Sequence, residues 1–230
     1  MKLVLFDIDG TILLTDGAGK RAIHRALDEV FGGTGPADHR FDGKTDPQIV
    51  RELMRIVGHS DAHIDDRMSV LLDRYVEYLR EELGTGAQGI SVMPGIPELL
   101  DALDARDDVM LGLLTGNVRE GAIAKLAAVG LAHHRFRVGA FGSDHASRPE
   151  LPAIAKRRAE ELLGHPVEGR DVVVIGDTPA DMGCGRGIGA RAIGVATGRY
   201  SVQDLLACQP AAAFADLADT QAVLHAILGD

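Results

Sequence analysis

The stretch Leu3-Val4-Leu5-Phe6-Asp7-Ile8-Asp9-Gly10-Thr11 is an apolar run that ends in two carboxylates, a glycine and a hydroxyl. An unbroken apolar run is typical of a strand covered on both faces, as in a parallel sheet flanked by helices. Asp7 and Asp9 follow at the carboxyl end of that strand, where open α/β sheets bind ligands. Because side chains two residues apart in an extended segment point the same way, both carboxylates are expected to face one crevice. The alternative is a strand end closed by turn-forming Asp and Gly.

Beyond residue 89 the sequence alternates between strand and helix patterns. The apolar spacing predicts strands at 109–114, 137–141, 171–175, 190–196 and 211–214, and helices at 96–106, 118–129, 150–163, 180–188, 202–207 and 217–228. Such alternation indicates βαβ units and a mostly parallel sheet. We therefore predict an α/β fold with a Rossmann-like, doubly wound sheet, to which residues 2–6 contribute the first strand.

The segment between the first strand and residue 89 has a different character, because three helices are predicted in succession at 18–31, 46–58 and 60–83. Asp46 is expected to be the N-cap of the second helix and Pro47 its first residue. We interpret this segment as an inserted α-helical cap domain, residues 16–88, between two parts of a core domain, residues 1–15 and 89–230. The predicted hinges are Thr15-Asp16-Gly17 on one side and Gly84, Gly86 and Gly89 on the other.

Composition narrows the classes of partner and compartment. The chain has 230 residues, with 24 Lys and Arg against 34 Asp and Glu, so its net charge is −10 at pH 7. This charge argues against nucleic acid or an anionic membrane as the main partner. Cys184 and Cys208 form neither a metal-binding spacing nor a disulfide framework, and no signal-like or membrane-spanning segment is recognised, so a cytoplasmic protein is expected.

Polar side chains also follow two later strands of the predicted sheet. Thr115, Gly116 and Asn117 come directly after the strand at 109–114, while Asp177 follows the strand at 171–175 and Asp181 lies one helical turn further on. The carboxyl ends of parallel strands meet at one edge of a sheet, so these groups are expected near Asp7. A hydroxyl placed there, beside a helix N-terminus, could donate to a phosphoryl oxygen. The alternatives are ordinary capping roles for Thr115, Asn117 and Asp181, and capping is the favoured interpretation for Asn117.

These stretches resemble the sequence motifs of the haloacid dehalogenase-like hydrolase superfamily, in the same order and over nearly the whole chain. The resemblance implies that Asp7 is a nucleophile that forms an aspartyl-phosphate. It implies that Asp9 is the general acid and then the general base. Thr115 would bind the transferred phosphoryl group. The position two residues past the nucleophile carries an Asp here, and in this it resembles the phosphatases and mutases of the superfamily rather than its dehalogenases.

The resemblance also implies a metal cofactor and a set of substrate contacts. Mg²⁺ is the expected ion, because it prefers oxygen ligands and is bound through carboxylates and substrate phosphates. The implied metal ligands are Asp7, Asp9, Asp177 and Asp181. The implied substrate contacts, besides the catalytic groups, are Gly10, Thr11, Gly116 and Asn117.

A cation usually completes the site of this superfamily, most often a lysine just before a helix. Arg148, in Ser147-Arg148-Pro149-Glu150, has that placement here. Lys156 is the competitor, but it belongs to a Lys-Arg-Arg run that is typical of a solvated helix face. We therefore assign the catalytic cation to Arg148, whose planar guanidinium would neutralise the nucleophile and a phosphoryl oxygen.

Motif order and the helical cap most resemble the phosphoglycolate phosphatase-like group, which predicts hydrolysis of a small phosphorylated metabolite. The first alternative is a sugar-phosphate mutase, although Gly19-Lys20 stands where the mutases of the superfamily carry a histidine and His24 follows only a turn later. A remote alternative is a phospho-aspartate receiver module, which is also doubly wound. Two differences argue against a receiver module. In such a module the acid pair precedes the phosphorylated Asp in the chain, and there is no inserted cap.

Lys44 is the cap residue singled out for substrate recognition. It precedes the second helix in Gly43-Lys44-Thr45-Asp46, and the cap loops of similar enzymes face the core site at this point. Its ammonium is predicted to meet a negatively charged leaving group such as a carboxylate. The alternatives are an ordinary exposed lysine and a Schiff-base lysine, and Asp9 argues against the second because that chemistry does not use it.

Overall fold

The computed structural model describes residues 1–85 and 89–229, and parallel strands dominate its architecture. The strands are β1 (Lys2–Phe6), β2 (Leu13–Thr15), β3 (Ile90–Val92), β4 (Val109–Leu114), β5 (Val138–Ala140), β6 (Val172–Gly176), β7 (Arg191–Val195) and β8 (Ala212–Phe214). The α-helices are α1 (Ala18–Phe31), α2 (Asp46–Ile56), α3 (Asp61–Thr85), α4 (Ile96–Asp104), α5 (Arg119–Ala128), α6 (Leu151–Leu163), α7 (Pro179–Cys184), α8 (Val202–Leu206) and α9 (Thr220–Leu228).

Six of these strands form one sheet in the order β5-β4-β1-β6-β7-β8, and every neighbouring pair in it is parallel. Strand β1 lies in the interior, with β4 on one side and β6 on the other. The chain reverses its winding direction at β1, so the ends of β1, β4 and β6 form the crevice where such sheets bind ligands. The predicted doubly wound α/β fold is confirmed.

The two faces of β1 explain why its sequence is apolar at every position. Val4 and Phe6 pack into a cluster that includes residues of α4, α5 and α9. Leu3 and Leu5 pack into the cluster on the opposite face, which includes residues of α6. All four side chains are completely buried. A strand covered by helices on both faces has no solvent-facing position that would favour a polar residue.

Helices α1, α2 and α3 lie between β2 and β3 and outside the parallel sheet; we call them the helical insert. They share their own apolar cluster, with members such as Ile23, Leu53 and Tyr75. The insert leaves and rejoins the core through an antiparallel ribbon in which Leu13 pairs with Val92 and Thr15 with Ile90. This ribbon was not predicted. The proposed division into domains stays a prediction, and Gly86, the boundary at residue 88 and residue 230 lie outside the described residues.

The start of α2 corrects one prediction. Thr45, not Asp46, is the N-cap, and its side-chain oxygen accepts from the Gln48 amide at 3.2 Å. Asp46 is the first helical residue and Pro47 the second, so the Asp46 carboxylate is free to contact another element. The bounds of β1, α1 and β4 agree with the predicted ones, and most other helix and strand ends differ by a few residues, as is usual for frayed ends. Within the described residues, no helix is long and apolar enough to cross a membrane.

Candidate active site

The ends of β1, β4 and β6 bring the predicted polar groups together. Asp7 follows β1, and its amide donates to the Ile175 carbonyl of β6 at 2.9 Å. Thr115 follows β4, with its amide bonded to the Ala140 carbonyl of β5 at 3.0 Å. Asp177 follows β6. All three side chains are buried, so their polar groups lie at the floor of a crevice rather than on an open surface.

Arg148 lies at the centre of a group with Asp7, Asp177 and Asp181, which we call the Arg148 cluster. Its Nη2 is 3.0 Å from Asp7 Oδ1 and 2.5 Å from Asp181 Oδ1. Arg148 is buried, and its Nε has no hydrogen-bond partner among the described residues. Burial alone would lower the pKa of this guanidinium, but the carboxylates of Asp181 and Asp7 raise it, so the group is always charged.

Lys156 lies elsewhere. Its ammonium pairs with Glu160 at 2.6 Å, one turn along the same helix. Of the two cations considered from the sequence, the structure therefore brings only Arg148 to Asp7. Arg148 sits in a short 3-10 turn, Arg148–Glu150, that leads into α6, which matches its predicted position at the mouth of a helix.

Asp181 caps the start of α7 and also contacts Arg148, and its metal-binding role stays a prediction. It is the third residue of α7, where it forms a reciprocal capping box with Thr178. Asp181 Oδ2 accepts from the Thr178 amide at 3.1 Å and from its hydroxyl at 2.7 Å. Its other oxygen faces Arg148. Asp181 thus supports the cluster from behind, with both oxygens already engaged.

Three carboxylates of the Arg148 cluster are arranged as a possible cation site. Asp7, Asp177 and Asp181 each offer one oxygen, and the three oxygens lie within 4.8 Å of one another. Burial, together with the nearby Asp181 and Asp7, raises the pKa of Asp177 to about 9. Burial also raises the pKa of Asp7 to about 6, although Arg148 opposes the rise. One guanidinium does not balance three buried carboxylates, and a bound divalent cation would supply the missing charge.

Gly10 and Thr11 contribute to this cluster in a way that differs from the predicted substrate contact. Their amides are used within the turn, Gly10 to the Leu13 carbonyl and Thr11 to the Ile8 carbonyl. An added Cβ at Gly10 would lie 2.5 Å from Asp177 Oδ2, and Gly10 has a φ of +84°. The Thr11 hydroxyl is 3.4 Å from Asp177 Oδ1. Gly10 and Thr11 therefore pack against the Asp177 carboxylate and help to position it. Their contact with substrate stays a prediction.

A second group of polar side chains lies beside the first, and its central residue was missed by sequence reasoning. Lys125 of α5 donates to both oxygens of Asp9 at 2.7 Å and to Asn117 Oδ1 at 2.6 Å. Asn117 Nδ2 donates to Asp9 Oδ2 and to Thr115 Oγ1, both at 2.7 Å. We call these four residues the Lys125 cluster. The available signal was a lysine between Ala122 and Leu126, on the apolar stripe of a predicted helix.

The Lys125 cluster corrects the capping interpretation of Asn117. Val118, not Asn117, is the N-cap of α5, and the Asn117 side-chain amide instead bridges Asp9 and Thr115. Since the Thr115 oxygen accepts from Asn117, the hydroxyl proton of Thr115 is left to donate to another group. Asp9 does not belong to the three-carboxylate site, because its carboxylate is turned toward Lys125. Its predicted metal role stays a prediction.

The start of the helical insert is docked directly on this edge of the sheet. The Asp46 amide donates to the Gly116 carbonyl at 2.8 Å, and the Asp46 carboxylate accepts from the Val118 amide at 2.8 Å. An added Cβ at Gly116 would lie only 2.0 Å from the Lys44 carbonyl oxygen. Burial raises the pKa of Asp46 to about 7, while nearby Lys125 opposes the rise. Gly116 is thus needed for the close approach of the insert.

Lys44 reaches the cleft wall but already has partners. Its ammonium is 2.5 Å from Glu52 Oε2 and 3.3 Å from His39 Nε2. It is neither an isolated surface lysine nor a lysine aimed freely at the nucleophile. The predicted contact between Lys44 and a leaving group stays a prediction.

Between the insert and the sheet edge lies a cleft of about 560 Å³. Its floor is formed by Asp7, Asp9, Thr115, Gly116, Asn117, Lys125, Arg148 and Asp177. Its opposite wall is formed by insert residues that include Lys20, Ile23, His39, Phe41, Lys44 and Tyr75. His24 is not among the lining residues, and its ring stacks on Phe41 at 5.9 Å between centroids. His24, which follows the position of the mutase histidine by about a turn, thus lies outside the cleft lining, whereas His39 lies on the wall, and the mutase alternative stays open.

Comparison with known proteins identifies the family. The model of the haloacid dehalogenase-like hydrolases matches residues 1–189. A 5'-nucleotidase of Pseudomonas aeruginosa is 30% identical over 228 residues, covering 96% of this chain and 95% of the relative. Glycerol-1-phosphate phosphohydrolase 2 of Saccharomyces cerevisiae is 26% identical, covering 84% of this chain and 74% of the relative. The crystal structure of a predicted phosphoglycolate phosphatase from Haemophilus somnus has a TM-score of 0.71 at 19% identity, covering 97% of this chain and 98% of that chain. The chain therefore belongs to the haloacid dehalogenase-like hydrolases and is an enzyme.

Proposed function

We propose that this enzyme is a Mg²⁺-dependent phosphatase that hydrolyses a small phosphomonoester through an aspartyl-phosphate at Asp7. The observation that carries the proposal is the Arg148 cluster, in which a buried carboxylate at a strand end lies against a guanidinium and two further carboxylates. Phosphoryl transfer needs a nucleophile and positive charge around the equatorial oxygens, and both are present there. The phosphatase activities named for two relatives support the same reaction class.

In the first half-reaction, an Asp7 oxygen attacks phosphorus, and the bond from phosphorus to the leaving-group oxygen breaks. Asp9 gives its proton to that oxygen, which departs as an alcohol. Asp9 is suited to this role because 44% of its side chain is exposed to the cleft, whereas Asp7 is nearly buried. The two carboxylates thus divide nucleophilic and acid–base work between them.

In the second half-reaction, Asp9 takes a proton from a water molecule, whose oxygen attacks the aspartyl-phosphate. The bond between phosphorus and Asp7 then breaks, and inorganic phosphate leaves. Arg148 and the Thr115 hydroxyl donate to the phosphoryl oxygens in both steps. The unpartnered Nε–H of Arg148 provides a donor that no protein group uses among the described residues.

The donor set fits a divalent cation of the Mg²⁺ type. Asp7 and Asp177 would hold the ion, with Asp181 behind them, because Asp177 is a buried carboxylate that no cationic side chain pairs with in the described chain. When bound, Mg²⁺ supplies positive charge that favours ionised carboxylates and offsets charge on the phosphoryl group. Arg148 remains the cation fixed by the protein itself.

Two classes of substrate are candidates for this site. A small acidic or polyol ester, such as phosphoglycolate or glycerol phosphate, fits the phosphoglycolate phosphatase-like resemblance and the activity named for the yeast relative. A nucleoside monophosphate is the second candidate, because about 560 Å³ exceeds the need of a three-carbon ester and the Phe41 ring lies on the wall. The bacterial relative named a 5'-nucleotidase supports this second class.

The test is phosphate release from a panel of phosphoglycolate, glycerol 1-phosphate, nucleoside monophosphates and p-nitrophenyl phosphate, with and without Mg²⁺. We expect Mg²⁺-dependent turnover, and we expect Asp7→Asn to fold normally without turning over, since the amide is nearly isosteric but a poor nucleophile. Acid-quenched wild-type enzyme should carry acid-stable, hydroxylamine-labile phosphate. Substantial turnover by Asp7→Asn would contradict the assignment of Asp7 as the nucleophile. Transfer of phosphate between sugar hydroxyls would favour the mutase alternative.

A further inference from the structure

Lys125 is a buried cation whose hydrogen-bonding capacity is fully used. Its ammonium has three hydrogens, and its acceptors are the two Asp9 oxygens at 2.7 Å and Asn117 Oδ1 at 2.6 Å. Only 5% of its side chain is exposed. No donor is left over for a substrate oxygen, so the hydrogen bonds of Lys125 act on the reaction through the groups that it holds.

The group that Lys125 holds is the one that faces the cleft. Asp9 Oδ2 also accepts from Asn117 Nδ2 at 2.7 Å, so both carboxylate oxygens are fixed by residues of the β4–α5 region. The Asp9 side chain nevertheless keeps 44% exposure. A carboxylate that is held at both oxygens and still exposed has a fixed orientation without losing access to a ligand.

The helical insert covers this arrangement. An added Cβ at Gly19 would lie 3.3 Å from Lys125 Nζ and 3.7 Å from the Tyr75 hydroxyl, so the start of α1 and the middle of α3 both lie over the ammonium. Tyr75 and Lys125 both oppose the rise in the pKa of Asp46, so both lie near its carboxylate. The insert thus shields the Lys125 ammonium from water, whereas the Asp9 carboxylate stays half-exposed to the cleft.

We propose that Lys125 is a positioning residue for Asp9, which orients that carboxylate for proton transfer to and from the oxygen of the phosphoester. This inference rests on the proposed function, in which Asp9 is the general acid and base. The competing interpretation is a lysine that only stabilises the contact between the insert and the core. The two interpretations predict different effects of removing Lys125. A misplaced general acid slows the chemical step most when the leaving group needs a proton, whereas a purely structural loss affects all substrates alike.

The deciding experiment compares wild type, Lys125→Met and the control Lys2→Met on two substrates. Lys2 pairs with Asp171 at 2.8 Å, at the opposite end of β1 from the site. For Lys125→Met we expect kcat on the best alkyl ester of the panel to fall by about 30- to 100-fold, with KM within about threefold of wild type. On p-nitrophenyl phosphate, whose leaving group needs little protonation, the fall should be under about fivefold. Lys2→Met should leave both rates unchanged.

A second arm places Lys125→Met in the Asp9→Asn background. If Lys125 acts through Asp9, the added substitution should change the residual kcat by less than about twofold, because the effects of residues that act as a unit do not add. Equal losses on the two substrates, or the full loss repeated in the Asp9→Asn background, would overturn the proposal. If Lys125→Met fails to fold, Lys125→Gln is judged by the same two comparisons, since its amide can still donate one hydrogen bond.

These outcomes separate the inference from the proposed function. Wild type without phosphatase activity on any ester of the panel would mean that the proposed function fails. Wild type that turns over, with Asp7→Asn inactive and Lys125→Met fully active on the alkyl ester, would mean that only the role of Lys125 fails.

Discussion

The Arg148 cluster and the Lys125 cluster both pair a buried cation with aspartates, yet they differ in charge balance. One guanidinium faces three buried carboxylates in the first, so that group has a negative excess. In the second, one ammonium donates to a single carboxylate, which is half-exposed, and the Asp46 carboxylate lies nearby. A larger negative excess favours binding of an additional cation, whereas a directly hydrogen-bonded ion pair fixes the direction of a side chain. The two halves of the site are thus suited to different tasks.

The largest effect is expected from removing the cation of the Arg148 cluster. Arg148→Met would leave buried carboxylates without their fixed countercharge, which typically costs about 3–5 kcal/mol of unfolding free energy. We expect kcat/KM for the best ester to fall by about 10³-fold or more, since catalytic arginines in phosphoryl transfer contribute about 10³- to 10⁵-fold. Phosphate release and thermal unfolding measure the two effects.

The matched variants for this prediction are Arg148→Lys and Lys156→Met. Arg148→Lys keeps the charge but not the planar fork, so it should recover part of the rate. Lys156→Met should behave as wild type, because the partner of Lys156 in the described part of the chain is Glu160, one turn along α6. An inactive Lys156→Met beside an active Arg148→Met would reverse the assignment of the cation.

The next effect should separate Asp177 from Asp181 within the same cluster. Asp181 is engaged by Arg148 and Thr178, while the only side-chain donor recorded for Asp177 in the described chain is the Thr11 hydroxyl at 3.4 Å. We therefore expect Asp177→Asn to raise the Mg²⁺ concentration for half-maximal rate by at least about 10-fold, and Asp181→Asn to lower thermal stability more. Mg²⁺ titrations and melting curves make the comparison. A rate that survives complete chelation would contradict the metal site.

The sequence brought Asp7 and Asp177 of the Arg148 cluster together because both lie at strand ends. Asp7 and Asp177 each follow an apolar strand, and parallel strands bring their carboxyl ends to one edge. Strand β4 and helix α1 were predicted with their observed bounds, since their apolar patterns are long and regular. The short ribbon of β2 and β3 was missed because three-residue strands leave almost no periodic signal.

The Lys125 cluster was harder to predict, because its contacts depend on tertiary placement. Lys125 is two turns into α5, and only the packing of that helix brings its side chain back to Asp9. Asn117 stands before a helix, where capping is the common role, but its amide group turns to Asp9 instead. Asp46 was taken for an N-cap because Asp before Pro is a strong start signal, and Thr45 beside it satisfied the same requirement. Local pattern thus favoured capping at Asn117 and Asp46, and the apolar neighbours of Lys125 were the only local signal for its burial.

A smaller effect should follow from separating the insert from the Lys125 cluster. Gly116→Ala places a Cβ at 2.0 Å from the Lys44 carbonyl oxygen, so the loop before α2 has to move away from the sheet edge. We expect the rate to fall by about 10-fold and the amides of α2 to exchange hydrogen faster, as docking contacts such as the bond from Asp46 to Gly116 are lost. Gly33→Ala is the control, because its added Cβ meets no atom within 4 Å. Unchanged exchange in Gly116→Ala would show that docking tolerates the extra atom.

The smallest effect concerns the insert wall, where Lys44 is paired with Glu52 at 2.5 Å. Lys44→Met should raise KM for an acidic ester such as phosphoglycolate by about three- to fivefold more than for p-nitrophenyl phosphate, because only the first has a negatively charged leaving group. Glu52→Gln keeps a hydrogen-bonding side chain but removes the competing charge, so the Lys44 ammonium is released and KM for the acidic ester should fall. In neither variant should kcat change by more than about twofold, since Lys44 lies across the cleft from Asp7. Equal shifts on both esters would mean that the pair only stabilises the insert, whereas opposite shifts in the two variants would establish Lys44 as a contact for the leaving group.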